Sequence, residues 1–141
     1  MGLFLIAQIA GRGVAIETSQ VDSVVDVAEI VAVPRAEAAV RGLVALRSRV
    51  VTVIDTGTAL GLDPTPDSAR RAVITRIDGH HYAVLVDELE DVSVFDRQPL
   101  SPGLALDRGW AQVGVGLVER DGEPLLIVDL AALVPQQVLA A

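Results

Sequence analysis

The sequence predicts an all-β fold of about ten short strands, and three observations carry that prediction. Hydrophobic residues make up 51% of the 141 positions, but aromatic residues only 3%, so the core must be built from Val, Leu, Ile and Ala. The apolar runs are short and rich in β-branched residues, as in Leu43–Leu46 and Val50–Ile54, with the polar Arg47-Ser48-Arg49 between them. The third observation is a repeat. A unit of strand, turn, strand, aspartate and one helical turn occurs twice.

The first copy of the unit runs from Gly42 to Leu60 and the second from Gly116 to Leu133. Gly42, Leu43, Val44 and Asp55 recur 74 positions later as Gly116, Leu117, Val118 and Asp129. Upstream, Ile9, Gly11, Ala15, Ile16, Val21, Val24 and Pro34 recur 68 positions later as Ile77, Gly79, Ala83, Val84, Leu89, Val92 and Pro102. The change of offset places a six-residue longer loop in the second half, between Pro102 and Val113. Two five-stranded units then suggest two small barrels sharing a core within one domain over 1–141. One lies mainly over 14–69 and the other over 70–134, with the N-terminal strand open to exchange between them. Closing each sheet would remove edges that a Val-rich chain tolerates poorly.

Taken in order, Leu3–Ala10 reads as a strand buried on both faces, Gly11-Arg12-Gly13 as a turn, and Val14–Thr18 as the returning strand. Val21–Ala28 is extended. Ile30–Pro34 leads to a helical turn over Arg35–Ala39. The Leu43–Ile54 hairpin follows. Asp55 is expected to cap a helical turn over Thr56–Leu60, which Gly61 stops. The run D-P-T-P-D-S-A over Asp63–Ala69 is the strongest break and connects the repeats. Arg71–Ile77 and His80–Val86 pair across Asp78-Gly79, a strong hairpin signal. Leu89–Phe95 is a strand and Gln98–Asp107 is irregular. Trp110–Arg120 and Glu123–Asp129 pair across Asp121-Gly122, and Leu130–Val134 is a last helical turn before a frayed end from Pro135.

Composition excludes several functions. The net charge is −8, with 11 Arg and no Lys, whereas phosphate recognition wants a basic stripe; nucleic acid is not the expected partner. Cysteine is absent, which removes thiol and disulfide chemistry. No run approaches the ~20 apolar residues of a membrane span, so no membrane insertion and a cytoplasmic location are expected. His80 and His81 are the only histidines, and neighbours on a strand point to opposite faces, so no metal site or cofactor is expected.

One segment suggests catalysis. Val53-Ile54-Asp55-Thr56-Gly57 resembles the aspartic-protease signature, and a homodimer would need only one such Asp per chain. That chemistry requires two carboxylates sharing a proton. Asp129 is followed by Leu130-Ala131, so capping explains both aspartates while catalysis explains one. A small homodimeric aspartic peptidase using Asp55 is therefore the second reading, with Gly57 incidental under the first. Arg47 and Arg49 flank the hairpin turn beside apolar strands, a setting suited to partner recognition.

The same stretch carries a family resemblance. V-R-G-L-V-A-L-R-S-R-V-V-T-V-I-D over Val40–Asp55, with Leu60-Gly61 after it, is similar to the signature segment of CheW-like domains. Tyr82–Val92 resembles the family's strand ending in V-D. The resemblance spans Leu3 to Val134 and implies two intertwined five-stranded SH3-like β-barrels. It also implies a non-enzymatic adaptor of bacterial chemotaxis, binding the regulatory domain of a CheA-type histidine kinase and the cytoplasmic tip of chemoreceptors. An adaptor for a kinase outside chemotaxis fits the same residues. By position, the resemblance assigns Gly42, Arg47, Ala83, Leu89 and Val92 to the receptor groove, and Leu5, Thr18, Val21 and Val24 to the kinase surface. Ser48 replaces the glycine that follows Leu-Arg in the family, a residue expected to supply a positive φ. Ser23 stands where many members have Glu, and Thr52 and Thr56 replace Pro and Leu.

Overall fold

The computed structural model describes residues 1–101 and 104–135. Its strands are β1 (Gly2–Ile9), β2 (Arg12–Glu17), β3 (Ser23–Asp26), β4 (Val40–Leu46), β5 (Arg49–Ile54), β6 (Arg71–Ile77), β7 (His80–Val86), β8 (Glu88–Phe95), β9 (Gly114–Arg120) and β10 (Glu123–Val128). Short helices α1 (Thr56–Ala59), α2 (Arg108–Val113) and α3 (Leu130–Leu133) complete it, with a 3-10 turn at Thr18–Gln20.

The strands form two five-stranded, SH3-like sheets, ordered β8-β1-β2-β10-β9 and β3-β6-β7-β5-β4. Replacing each strand by its repeat equivalent turns one order into the other, which is the pattern of a duplicated unit. The halves are intertwined more deeply than a single exchanged strand. The whole β1–β2 hairpin joins the strands of the second repeat, and β6–β7 joins those of the first. Sheet membership therefore does not divide the chain into 14–69 and 70–134. Two parallel pairings, β2 with β10 and β5 with β7, and two antiparallel ones, β1 with β8 and β3 with β6, make this exchange. The edges of the two sheets are β8 and β9, and β3 and β4, respectively. Two of these edges are covered by the chain itself. Val31 exchanges both backbone hydrogen bonds with Leu43 of β4, at 2.8 and 2.9 Å, and Gln98 does the same with Leu117 of β9, at 2.7 and 2.8 Å.

The core follows from strands with two apolar faces. Phe4 and Ile6 point inside the first sheet's curve with Val118 and Ile127. Their neighbours Leu5, Ala7 and Ile9 point the other way, against Val73, Val84 and Val86 of the second sheet. That shared layer is the main core, and Val53, Ile74, Ala83 and Leu85 fill the second sheet's interior.

All four hairpins are two-residue turns whose first residue is left-handed: Ala10 at φ 50°, Arg47 at 56°, Asp78 at 51° and Asp121 at 52°. Three place Gly second, at φ 79°, 82° and 80°. In the fourth, positive φ falls on Arg47 and not on Ser48, so Ser48 escapes the strain expected of it. The turn expected over Gly11–Gly13 is Ala10-Gly11, because Arg12 and Gly13 already pair with Ile9 and Gln8.

Three further expectations are corrected. Trp110–Val113 is helical, as the end of α2, and β9 begins only at Gly114. The longer loop of the second repeat holds this helix. It buries Trp110 and Val113, three residues apart, in the main core. Arg35–Ala39 forms turns without a helix, since Arg35 is left-handed at φ 62°. Of Val21–Ala28, only Ser23–Asp26 is a strand. The pairing of Pro34 with Pro102 and the chain end over 136–141 lie outside the described residues.

Candidate functional site

Asp55 ends β5 and caps α1. Its Oδ1 accepts from the backbone N–H of Thr58 at 3.1 Å and of Thr65 at 2.9 Å. Its Oδ2 accepts from Arg41 Nη2 at 2.6 Å. Arg41 also donates to the Thr65 carbonyl, and Gly57 N–H donates to the Thr65 hydroxyl at 3.0 Å. Burial pushes the Asp55 carboxyl up, but the Thr65 N–H, the Arg41 guanidinium and the Thr58 N–H together hold it below its usual range. A protease dyad needs one carboxyl that keeps its proton and faces a cleft. Asp55 is buried, charged and fully engaged, so the geometry supports capping and gives the peptidase reading no foothold. Asp129 plays the same part. It accepts from Ala131 N–H at 3.1 Å and from Gln20 Nε2 at 2.7 Å, while Gln20 Oε1 accepts from Leu130 N–H at 3.0 Å. Gly57 is not incidental, because a Cβ there would lie 2.1 Å from the Asp63 carbonyl oxygen.

Of the residues assigned to receptor binding, Arg47 is exposed at the tip of the β4–β5 hairpin. Its neighbour Arg49 contacts His81 Nε2, which also lies 3.9 Å from Asp22. Val92 on edge strand β8 is 51% exposed, and Leu89 is half-buried against the main core. Gly42 and Ala83 are buried, in one row across the second sheet through Val53. A Cβ on Gly42 would sit 2.4 Å from the Val31 carbonyl oxygen. Gly42 thus admits the strap over β4 and offers a partner no side chain, and Ala83 is interior packing.

Of the residues assigned to kinase binding, Thr18 and Val21 are half-buried, Val24 is 40% exposed, and Leu5 is core. The two assigned sets are not on separate surfaces. Leu5 is the direct cross-strand partner of Val92, and Val24 is that of Val73 in the shared core layer. Opposed residues of an antiparallel pair project to one face. Leu3 pairs with Val94 on that same face, and both are exposed, at 48% and 58%. The main core layer therefore runs out to the surface as an apolar strip of Leu3, Val92 and Val94, with Glu88 and Glu90 on the same strand. Sequence reading missed Leu3 and Val94, because in a two-faced apolar strand nothing local distinguishes a covered residue from an open one. Such a strip is suited to protein recognition, and Arg47 is exposed at a hairpin tip of the other sheet. No described helix is long and apolar enough to cross a membrane.

Comparison with known proteins agrees with this architecture. The chain is similar to the chemotaxis protein CheW of Thermotoga maritima, at 21% identity over 129 residues covering 92% of this chain and 85% of that one. Its structure is similar to that of the scaffolding protein TtCheW from Thermoanaerobacter tengcongensis, with a TM-score of 0.77 at 21% identity, covering 91% and 88% of the two chains. The profile of the CheW-like domain matches residues 3–138, nearly the whole length, and the chain belongs to the CheW-like domain family.

Proposed function

We propose that this chain is a non-enzymatic adaptor that joins the cytoplasmic tip of chemoreceptors to the regulatory domain of a CheA-type histidine kinase. The observation that supports this most is the CheW-like match over residues 3–138. The open apolar strip is consistent with it, as is Arg47, which is exposed and makes no side-chain hydrogen bond or ion pair among the described residues. Arg47, Leu89 and Val92 make the receptor contact, with Gly42 and Ala83 shaping the backbone beneath. Thr18, Val21 and Val24 make the kinase contact, supported from below by Leu5. The adaptor works in the cytoplasm, without nucleic acid or membrane insertion. No bond is made or broken: binding both partners lets the receptor's conformation bias the kinase's equilibrium, by an amount equal to the difference in affinity between states.

Calorimetry against the regulatory domain of the kinase from the same genome tests the reading. Saturable one-to-one binding at micromolar affinity or better is expected. No binding to any such domain would overturn the kinase assignment.

A further inference from the structure

A cavity of about 890 Å³ lies away from the strip just described, between α1, the β1–β2 turn and the loop over 61–66. Its size falls in the range of built ligand sites. Its wall is held rigidly. Thr65 is fixed to Asp55 and Gly57, Arg41 grips the Thr65 carbonyl, and Gly57 allows the loop backbone to within a Cβ's width of the helix. Leu62, Pro64 and Pro66 supply apolar surface. The charged side chains lining it are Asp63 and Asp87, and no basic residue is among its lining. Asp87 is oriented by the Gly11 N–H, which donates to its Oδ2 at 2.9 Å. Among the described residues, neither aspartate has an ion-pair partner, and both are exposed to an incoming charge.

These features select the occupant. Two carboxylates repel phosphates and nucleotides. No aromatic ring lines the cavity to stack a base. No group of three metal-ligating side chains is found among the described residues. A cation with apolar flanks is complementary. We propose that this cavity binds a peptide segment of a protein partner that sets one arginine or lysine side chain against Asp63 and Asp87, with apolar residues beside it on Leu62, Pro64 and Pro66. The site is independent of the adaptor contacts, and its test uses no kinase or receptor.

The probe is the acetylated, amidated tripeptide Leu-Arg-Leu, titrated into the full chain by amide NMR, with Leu-Glu-Leu as control. Saturable shifts at Gly11, Gly57 and Gly61 are expected at millimolar affinity, with none from the control. The double variant Asp63→Asn, Asp87→Asn keeps the acceptor for Gly11 and should bind about fivefold more weakly, as does the native chain at high salt. Absence of saturable shifts, equal binding of the Glu peptide, or an undiminished double variant would each overturn the proposal. Acetyl-arginine amide binding as tightly as the tripeptide would mark a site for small cations and remove the peptide.

Discussion

Arg41 Nη2 lies 2.6 Å from Asp55 Oδ2, and neither side chain is more than 16% exposed. This pair joins β4 to the start of α1 and carries the 63–67 loop with it. A nearly buried charge that loses its partner costs more than the pair contributes. Arg41→Ala should therefore destabilise the fold by about 3 kcal/mol, whereas Asp129→Ala, which removes a cap without an ion pair, should cost about 1 kcal/mol. Chemical denaturation of both variants checks the order.

The same pair sets an acid limit. The folded Asp55 carboxyl lies below its unfolded value, so the unfolded chain binds the extra proton as pH falls. Its stabilisation is complete above the ordinary carboxylate range and is lost as pH drops through the folded pKa. The stability gap between the native chain and Asp55→Asn should stay constant from neutral pH to about pH 5 and shrink below about pH 4. Thermal melts across that range would show it, and a gap independent of pH would contradict the assignment.

Arg47 carries positive φ at 56°, a conformation that glycine adopts freely. Arg47→Gly should raise stability by about 0.5–1 kcal/mol, while Arg47→Ala leaves it nearly unchanged. Both remove the guanidinium, so both should weaken receptor-tip binding equally. Binding retained by either variant would take Arg47 out of the proposed contact.

Leu5 and Val92 face each other across β1 and β8, yet they call for different experiments. Leu5→Ala should cost about 3 kcal/mol because it opens a cavity in the shared core. Val92→Glu lies on the open strip and should change stability by less than about 0.5 kcal/mol. Its effect on partner binding, about fivefold or more, is then a clean reading of the surface.

Gly57 tests the loop contact. A methyl group there meets the Asp63 carbonyl at 2.1 Å, so Gly57→Ala should destabilise by about 2–3 kcal/mol, seen as a lowered Tm.

The residues by themselves determined most of the strands, the Asp78-Gly79 and Asp121-Gly122 turns, both aspartate caps, the duplication and the family, while the turn expected over Arg47–Arg49 is only Arg47-Ser48, because Arg49 already pairs with Leu46. Each is a local matter: β-branched runs, Asp-Gly pairs and an aspartate before a helical turn act through their near neighbours. Tertiary structure alone decided which hairpin joins which sheet. The β1–β2 hairpin is apolar on both faces, so its pattern fits the strands of either repeat equally well, and the choice is made by pairings between segments distant in sequence: β1 with β8, β2 with β10, β3 with β6 and β5 with β7. It also decided that Ala83 and Gly42 are interior while Val92 and Leu3 are open. Alternation along a strand shows which side chains share a face, and what covers that face depends on a segment distant in sequence. Sequence reading likewise assigned the Trp110–Val113 segment to a strand, because its helix is stabilised by burying Trp110 and Val113 in a core that exists only once both sheets have met.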